Sequence, residues 1–119
     1  MVVIRQHGPN SELFDISSFL ADVDRFVQPD TWHITIDDCT GDRALEIEEL
    51  TAFGLSIPDR EFRCLYAGIR QTIDGQFVGL IGGERVFELL AVDSSFWEVT
   101  GPPVFESHML ATYGAWQRA

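Results

Sequence analysis

Residues 76–103, QFVGLIGGERVFELLAVDSSFWEVTGPP, constrain the fold more than any other stretch of this chain. Apolar and polar residues alternate along it at the period of a strand, and turn signals interrupt it. Gly82-Gly83 supplies the positive-φ pair of a tight hairpin turn, Asp93-Ser94-Ser95 a second turn, and Pro102-Pro103 the stop. A three-strand meander is the expected result. Hairpin connections of this kind favour an antiparallel or mixed sheet with helices laid on one face.

The remaining segments fill out that scheme. VVIR (2–5) suits a short strand, ended by HGPN. Ile16, Phe19, Leu20, Val23, Phe26 and Val27 recur at helical spacing, with Asp15 or Ser17 placed to cap the first turn. In TWHITIDD, Trp32, Ile34 and Ile36 alternate with His33, Thr35 and Asp37, a strand with one wet face. RALEIEEL has helical composition, but Ala44, Leu45, Ile47, Leu50, Ala52 and Phe53 fall all round a helical wheel, whereas Leu45 and Ile47 alternate with Glu46 and Glu48. The alternation predicts a hairpin. A helix is expected over SIPDREFRCLYAGIRQTIDG, opened by Ser56, Pro58 and Asp59, striped by Phe62, Leu65, Tyr66, Ile69 and Ile73, and closed by Gly75, with Arg60, Arg63 and Arg70 opposite. Phe105, His108, Met109, Thr112, Tyr113 and Trp116 mark the inner stripe of a last helix. The expected fold is one α+β domain over residues 1–119, an antiparallel or mixed sheet of about six strands with three helices.

Composition narrows the partners. The 119 residues are 45% hydrophobic, enough for one core without a disulfide or structural metal. The net charge of -11 sets ten Asp and nine Glu against eight Arg, with no lysine. Such a field repels a phosphate backbone, so nucleic acid is not an expected partner. It steers a basic protein inward, and it equally keeps a protein in solution. Cys39 and Cys64 form no C-x-x-C pair and read as free thiols. The start MVVIRQHGPNSELFD lacks the pattern of a secretory signal, and no apolar stretch is long enough to span a bilayer. A cytoplasmic protein without membrane association is the expectation.

The segment ITIDDCTGDRALEIEE (34–49) gathers six carboxylates around one arginine. Read as a calcium loop from Asp38, it places Thr40, Asp42, Glu46 and Glu49 at ligand positions, but Arg43 stands where the sharp turn requires Gly. Read as a solvated face, Glu46 and Glu48 point off one strand, with Asp37, Asp38 and Asp42 crowding the turn. A cationic partner relieves their mutual repulsion, and solubility alone is the ordinary explanation of such a hairpin.

Catalytic patterns are sparse. Ser94 and Ser95 lack the G-x-S-x-G elbow, no H-x-x-x-H or H-E-x-x-H occurs, and GLIGGER is not a phosphate loop. No metal or cofactor is expected. His108 lies on an apolar helix face, the ordinary setting of a histidine satisfied by one hydrogen bond. The arginines at 60, 63 and 70 ordinarily pair with neighbouring carboxylates. In FELLAVDSSFWEV, Phe87, Leu89 and Ala91 take one sheet face and Val86, Leu90 and Val92 the other, so either helices cover both or one meets another chain, a possible homodimer.

A short acidic chain in which IRQTIDGQFVGL leads into FELLAVDSSFWEV resembles the small immunity proteins that bacteria encode beside polymorphic or contact-dependent toxins. The resemblance lies in size, charge and the style of residues 69–100. It implies a class, a stoichiometric inhibitor covering a toxin's active site, and carries over no binding residue. The residues themselves agree with a protein-binding module for a basic partner contacted by Asp37, Asp38, Asp42, Glu46 and Glu48. The alternatives are a small ligand-binding domain or enzyme with a pocket formed by His33, Trp97, His108 and Tyr113, and a structural homo-oligomer.

Overall fold

In the computed structural model, which describes residues 1–117, the elements run β1 (Val2–Arg5), α1 (Ile16–Phe26), β2 (Thr31–Thr40), α2 (Ala44–Thr51), β3 (Leu55–Pro58), α3 (Asp59–Tyr66), β4 (Gln71–Ile81), β5 (Glu84–Val92), β6 (Phe96–Thr100) and α4 (Pro103–Tyr113). The strands form one six-stranded sheet in the order β1-β6-β5-β4-β2-β3, each neighbouring pair antiparallel. The meander of β4, β5 and β6 lies where its turn signals put it. Gly82 and Gly83 both have positive φ between β4 and β5, as do Asp93 and Ser94 between β5 and β6, where Ser95 N–H donates to Val92 O.

Cross-strand register assigns the faces. Ile34, Phe77, Leu89 and Val99 form one row of the covered face, and Ile36, Gly75, Ala91, Trp97 and Ile4 the next. Aromatic rings then join the helices to this face. Phe62 of α3 stacks on Trp32, Phe19 of α1 meets Trp97 edge-on, and Phe105 of α4 tilts against Phe87. The opposite face carries no helix. Val86, Leu90 and Val92 lie there half-buried, interrupted by Gln76, Glu88 and Glu98, and the Gln76–Glu88 hydrogen bond lies beside Val78. Polar residues thus break up the apolar side that the sequence raised as a puzzle.

Two elements differ from the sequence expectation. RALEIEEL is not a hairpin but the helix α2, with Ile47 and Thr51 fully buried while Leu45, Leu50 and Phe53 face solvent. The apolar residues of the segment do fall all round the wheel, and four of the six, Leu45, Leu50, Ala52 and Phe53, are left exposed. The helix expected to begin at Ser56 and reach Gly75 is confined to α3. Ser56 and Pro58 belong to β3, and the chain turns after Tyr66 so that Gln71 onward pairs with β2 and β5. The apolar stripe holds only through Phe62, Leu65 and Tyr66. Beyond it, Thr72 and Ile73 gain more from the strand ladder than from further helical turns. Four helices therefore stand among the described residues where three were expected.

The sheet edges are closed in different ways. Outside β1, Arg5 N–H donates to Gly114 O and Trp116 N–H to Val3 O. On the other side β3 covers β2 only from Thr31 to Ile34. Past that point Thr51 takes its place: its Oγ1 accepts Ile36 N–H at 3.0 Å and shares its proton between Ile47 O at 2.9 Å and Ile36 O at 3.4 Å. Thr51→Val keeps the shape and strands the buried Ile36 N–H, which costs about 1–3 kcal/mol. Denaturant unfolding should register that loss, and Thr51→Ser should restore most of it.

A buried carboxylate ties three further elements together. Asp15 caps α1, its carboxylate accepting Ile16 N–H at 2.8 Å and Thr72 N–H at 2.7 Å from β4, together with the hydroxyls of Tyr66 and Thr72. Burial pushes its pKa from 3.8 up to about 6, against the pull of the Thr72 and Ile16 amides. A carboxyl whose folded pKa is raised holds its proton more tightly when folded. Its stabilising contribution is full below 3.8 and is lost as pH rises through about 6. A shift of this size corresponds to about 3 kcal/mol. The unfolding free energy of wild type relative to Asp15→Asn should fall by about that amount from below pH 3.8 to above pH 6. Urea titrations across the range measure it, and a constant difference would show that Asp15 carries no such linkage.

Candidate functional site

The acidic segment occupies the end of the sheet where β2 outruns β3. The register of β2 against β4 slips on both sides of Asp38, and this bulge leaves Asp37 with no partner on β4. Asp37 and Asp38 are both exposed. Across the ladder from Asp38 stands Asp74, whose Oδ1 accepts Asp93 N–H at 2.8 Å. Like charges directly opposite each other oppose pairing. Asp42 follows in the exposed turn before α2. Among the described residues, Asp37, Asp38 and Asp42 have no salt-bridge partner.

On α2 the two glutamates named from the sequence separate. Glu46 is exposed and takes a bidentate pair from Arg43, Nε at 2.9 Å and Nη2 at 2.7 Å, which lowers its pKa and raises that of Arg43. Glu48 is half-buried on another side of the helix, accepting from Cys39 Sγ at 3.7 Å. The expectation that Glu46 and Glu48 share one strand face fails because the segment is a helix, where residues two apart diverge. The calcium-loop pattern is divided between the end of β2, a short turn and α2. No group of three His, Cys, Asp or Glu among the described residues is placed to hold a metal ion.

The second set of candidates does not converge. His33 shares a row with Ser56, Val78 and Glu88 on the helix-free face, its Nδ1 hydrogen-bonded to Ser56 Oγ at 2.8 Å. Trp97 is fully buried on the covered face, its indole N–H donating to Phe14 O at 3.0 Å. The sheet itself separates the two. His108 and Tyr113 do meet, through a residue the sequence gave no reason to single out. Asp22 of α1 lies 2.6 Å from His108 Nε2 and accepts the Tyr113 hydroxyl at 2.5 Å. Burial, then the bond to Asp22, raises the Tyr113 pKa. The Thr112 hydroxyl approaches the same Nε2 at 3.4 Å. In a nucleophile-base-acid relay, the acid and the nucleophile use opposite ring nitrogens, so this is not that geometry. The cluster ties α1 to α4.

The arginines likewise act between elements. Arg63 bonds Asp59 on its own helix at 3.0 Å and Asp24 of α1 at 2.5 Å. Asp59 also accepts the Trp32 indole N–H at 2.8 Å. Arg70 lies past the end of α3, its N–H donating to Thr40 O, so the three arginines do not line one helix. What the sequence left unassigned is the outward face of α2 and its following turn, where Leu45 is 71%, Leu50 49% and Phe53 103% exposed. The signal was present as the apolar residues spread round the wheel.

No helix among the described residues is long and apolar enough to cross a membrane. The free thiols differ in accessibility: Cys64 is exposed, whereas burial, then Glu48, pushes Cys39 up to about 12. A thiol reagent at mildly alkaline pH should modify Cys64 rapidly in the native protein and reach Cys39 only on unfolding, as peptide mapping would establish. Compared with protein-family models, curated proteins and solved structures, the chain matches none, so a functional reading has to come from its own geometry.

Proposed function

We propose that this chain is a protein-binding module that neutralises a basic protein by stoichiometric contact, in the manner of the small acidic bacterial immunity proteins it resembles. The observation that carries the reading is the acidic end of the sheet: Asp37, Asp38 and Asp42 are exposed without a salt-bridge partner among the described residues, and Asp38 is set against Asp74. Asp37 and Asp38 stand at the bulge and Asp42 in the turn after β2, and the repulsion among these carboxylates falls when a cation enters. The net charge of -11 adds a long-range field that draws a basic surface toward the molecule. An inhibitor of this kind needs no catalytic constellation of its own.

The reading predicts salt-sensitive, one-to-one capture of a basic protein. Wild type and an Asp37→Arg, Asp38→Arg, Asp42→Arg variant serve as paired baits in extracts of the source cell, followed by calorimetry with the retained protein. Wild type should retain a basic partner that the variant loses, with affinity falling as salt is raised. Equal retention by both baits, or retention of no basic protein, overturns the proposal.

A further inference from the structure

α2 is apolar on both sides, which an eight-residue surface helix has no reason to be. Ile47 and Thr51, one turn apart, face the sheet and are fully buried. Glu46, Glu49 and Leu50 recur at the i, i+3, i+4 positions of the outward side, with Leu45 beside Glu49 and Phe53 in the turn that follows the helix. Phe53 projects entirely into solvent, and Leu45 and Leu50 are largely exposed. Helix-forming propensity does not call for large apolar residues there, since Glu, Gln or Lys would serve as well. Such a cluster of exposed apolar side chains, rimmed by charge, has the form of a contact surface.

The face is also held rigidly. Thr51 fastens the C-terminal turn of α2 to Ile36, and Gly54 continues at φ +86° with the His33 ring so close that a Cβ there would meet it at 2.8 Å. Phe53 is thus presented from a fixed turn between two anchored residues, which lowers the entropy lost when it is covered.

Charge selects what covers it. Arg43 already neutralises Glu46, but a second copy would bring Glu49 and Asp42 against themselves, and an anionic lipid surface would be repelled by the same two groups. A cationic polypeptide has the complementary sign. We propose that the outer face of α2 and the turn after it form the docking surface for a basic polypeptide, with Phe53 and Leu50 entering an apolar pocket of that partner while its Arg and Lys side chains meet Glu49 and Asp42. This rests on the basic-partner reading above and adds to it an apolar anchor on a different element.

The test uses a displayed random-peptide library selected on the whole wild-type protein, with the winning peptides titrated against two variants. Leu50→Ser with Phe53→Ser removes the anchor, and Asp42→Arg with Glu49→Arg reverses the rim. All four side chains are exposed, circular dichroism checks the fold, and Phe53→Tyr keeps the ring should the serine variant be unstable. Expected are peptides that set aromatic or leucine residues among Arg and Lys, perturb the α2 amides in nuclear magnetic resonance spectra, and lose about 30-fold affinity on the serine variant, with Phe53→Tyr retaining most of it. Basic peptides lost on charge reversal but indifferent to the serine changes would overturn the anchor and leave the basic-partner reading standing. Apolar peptides indifferent to charge reversal would overturn the basic occupant. Selection of no peptide that maps to α2, or a wild-type dimer in sedimentation that the serine variant abolishes, would overturn the docking surface itself.

Discussion

β2 is ten residues long and β3 only four, and this mismatch shapes the end of the molecule that carries Asp37, Asp38, Asp42 and α2. A strand whose outer edge is left open presents unpaired backbone groups that invite another chain or lose stability when buried. Here α2 folds against that edge, and the Thr51 hydroxyl substitutes at Ile36 for the missing strand partner. Ile47 completes the attachment by entering the core. Once Ile47 and Thr51 point inward, helix geometry obliges Glu46, Glu49 and Leu50 to point outward, and Phe53 follows exposed in the next turn. The exposed apolar residues follow from how the edge is closed.

The rest of the fold is held by aromatic packing and by one buried carboxylate. Asp15 links the start of α1 to Tyr66 at the end of α3 and to Thr72 at the start of β4, neighbouring segments that lie 51 and 57 residues further along the chain. An acceptor buried so deeply is costly unless its donors are in place, so the network fixes the relative positions of those segments while weakening them as the carboxyl ionises. The Asp22, His108 and Tyr113 cluster fastens α4 to α1, and Arg63 fastens α3 to α1. Titratable side chains that suggest chemistry in the sequence are employed as ties between helices.

How much was legible in the sequence depended on whether the deciding contact was local. The meander, with turns at Gly82-Gly83 and Asp93-Ser94, and the Asp15-capped first helix were readable because turn chemistry and periodicity are local. Helix propensity in ALEIEEL was also local, but the amphipathic pattern that normally accompanies it was missing, since Leu45, Leu50 and the following Phe53 are exposed among the described residues. The boundary of α3 was misread because Thr72 is committed to strand by pairing with Cys39, more than thirty positions earlier in β2, and Ile73 O accepts the N–H of Ser94 from the distant turn between β5 and β6. Of the candidate site, Asp37, Asp38, Asp42 and Glu46 proved exposed as a charge run suggests, while Glu48 turned toward Cys39 once the segment wound into a helix. Asp22 was invisible beforehand because its partner His108 lies 86 residues away.

Acidic and apolar elements at one end of a protein contribute to different parts of an association. Exposed carboxylates act over a distance comparable to the Debye length and chiefly raise the rate of encounter, which salt suppresses. Leucine and phenylalanine act only on contact and chiefly slow dissociation, which salt hardly affects. A surface built from carboxylates alone would bind a basic partner quickly and release it as quickly. One built from apolar side chains alone would adhere to many partners. In the proposed association, Asp37, Asp38 and Asp42 would supply the approach and Leu50 and Phe53 the retention, and a partner that had to satisfy both sets would be selected more narrowly than by either alone.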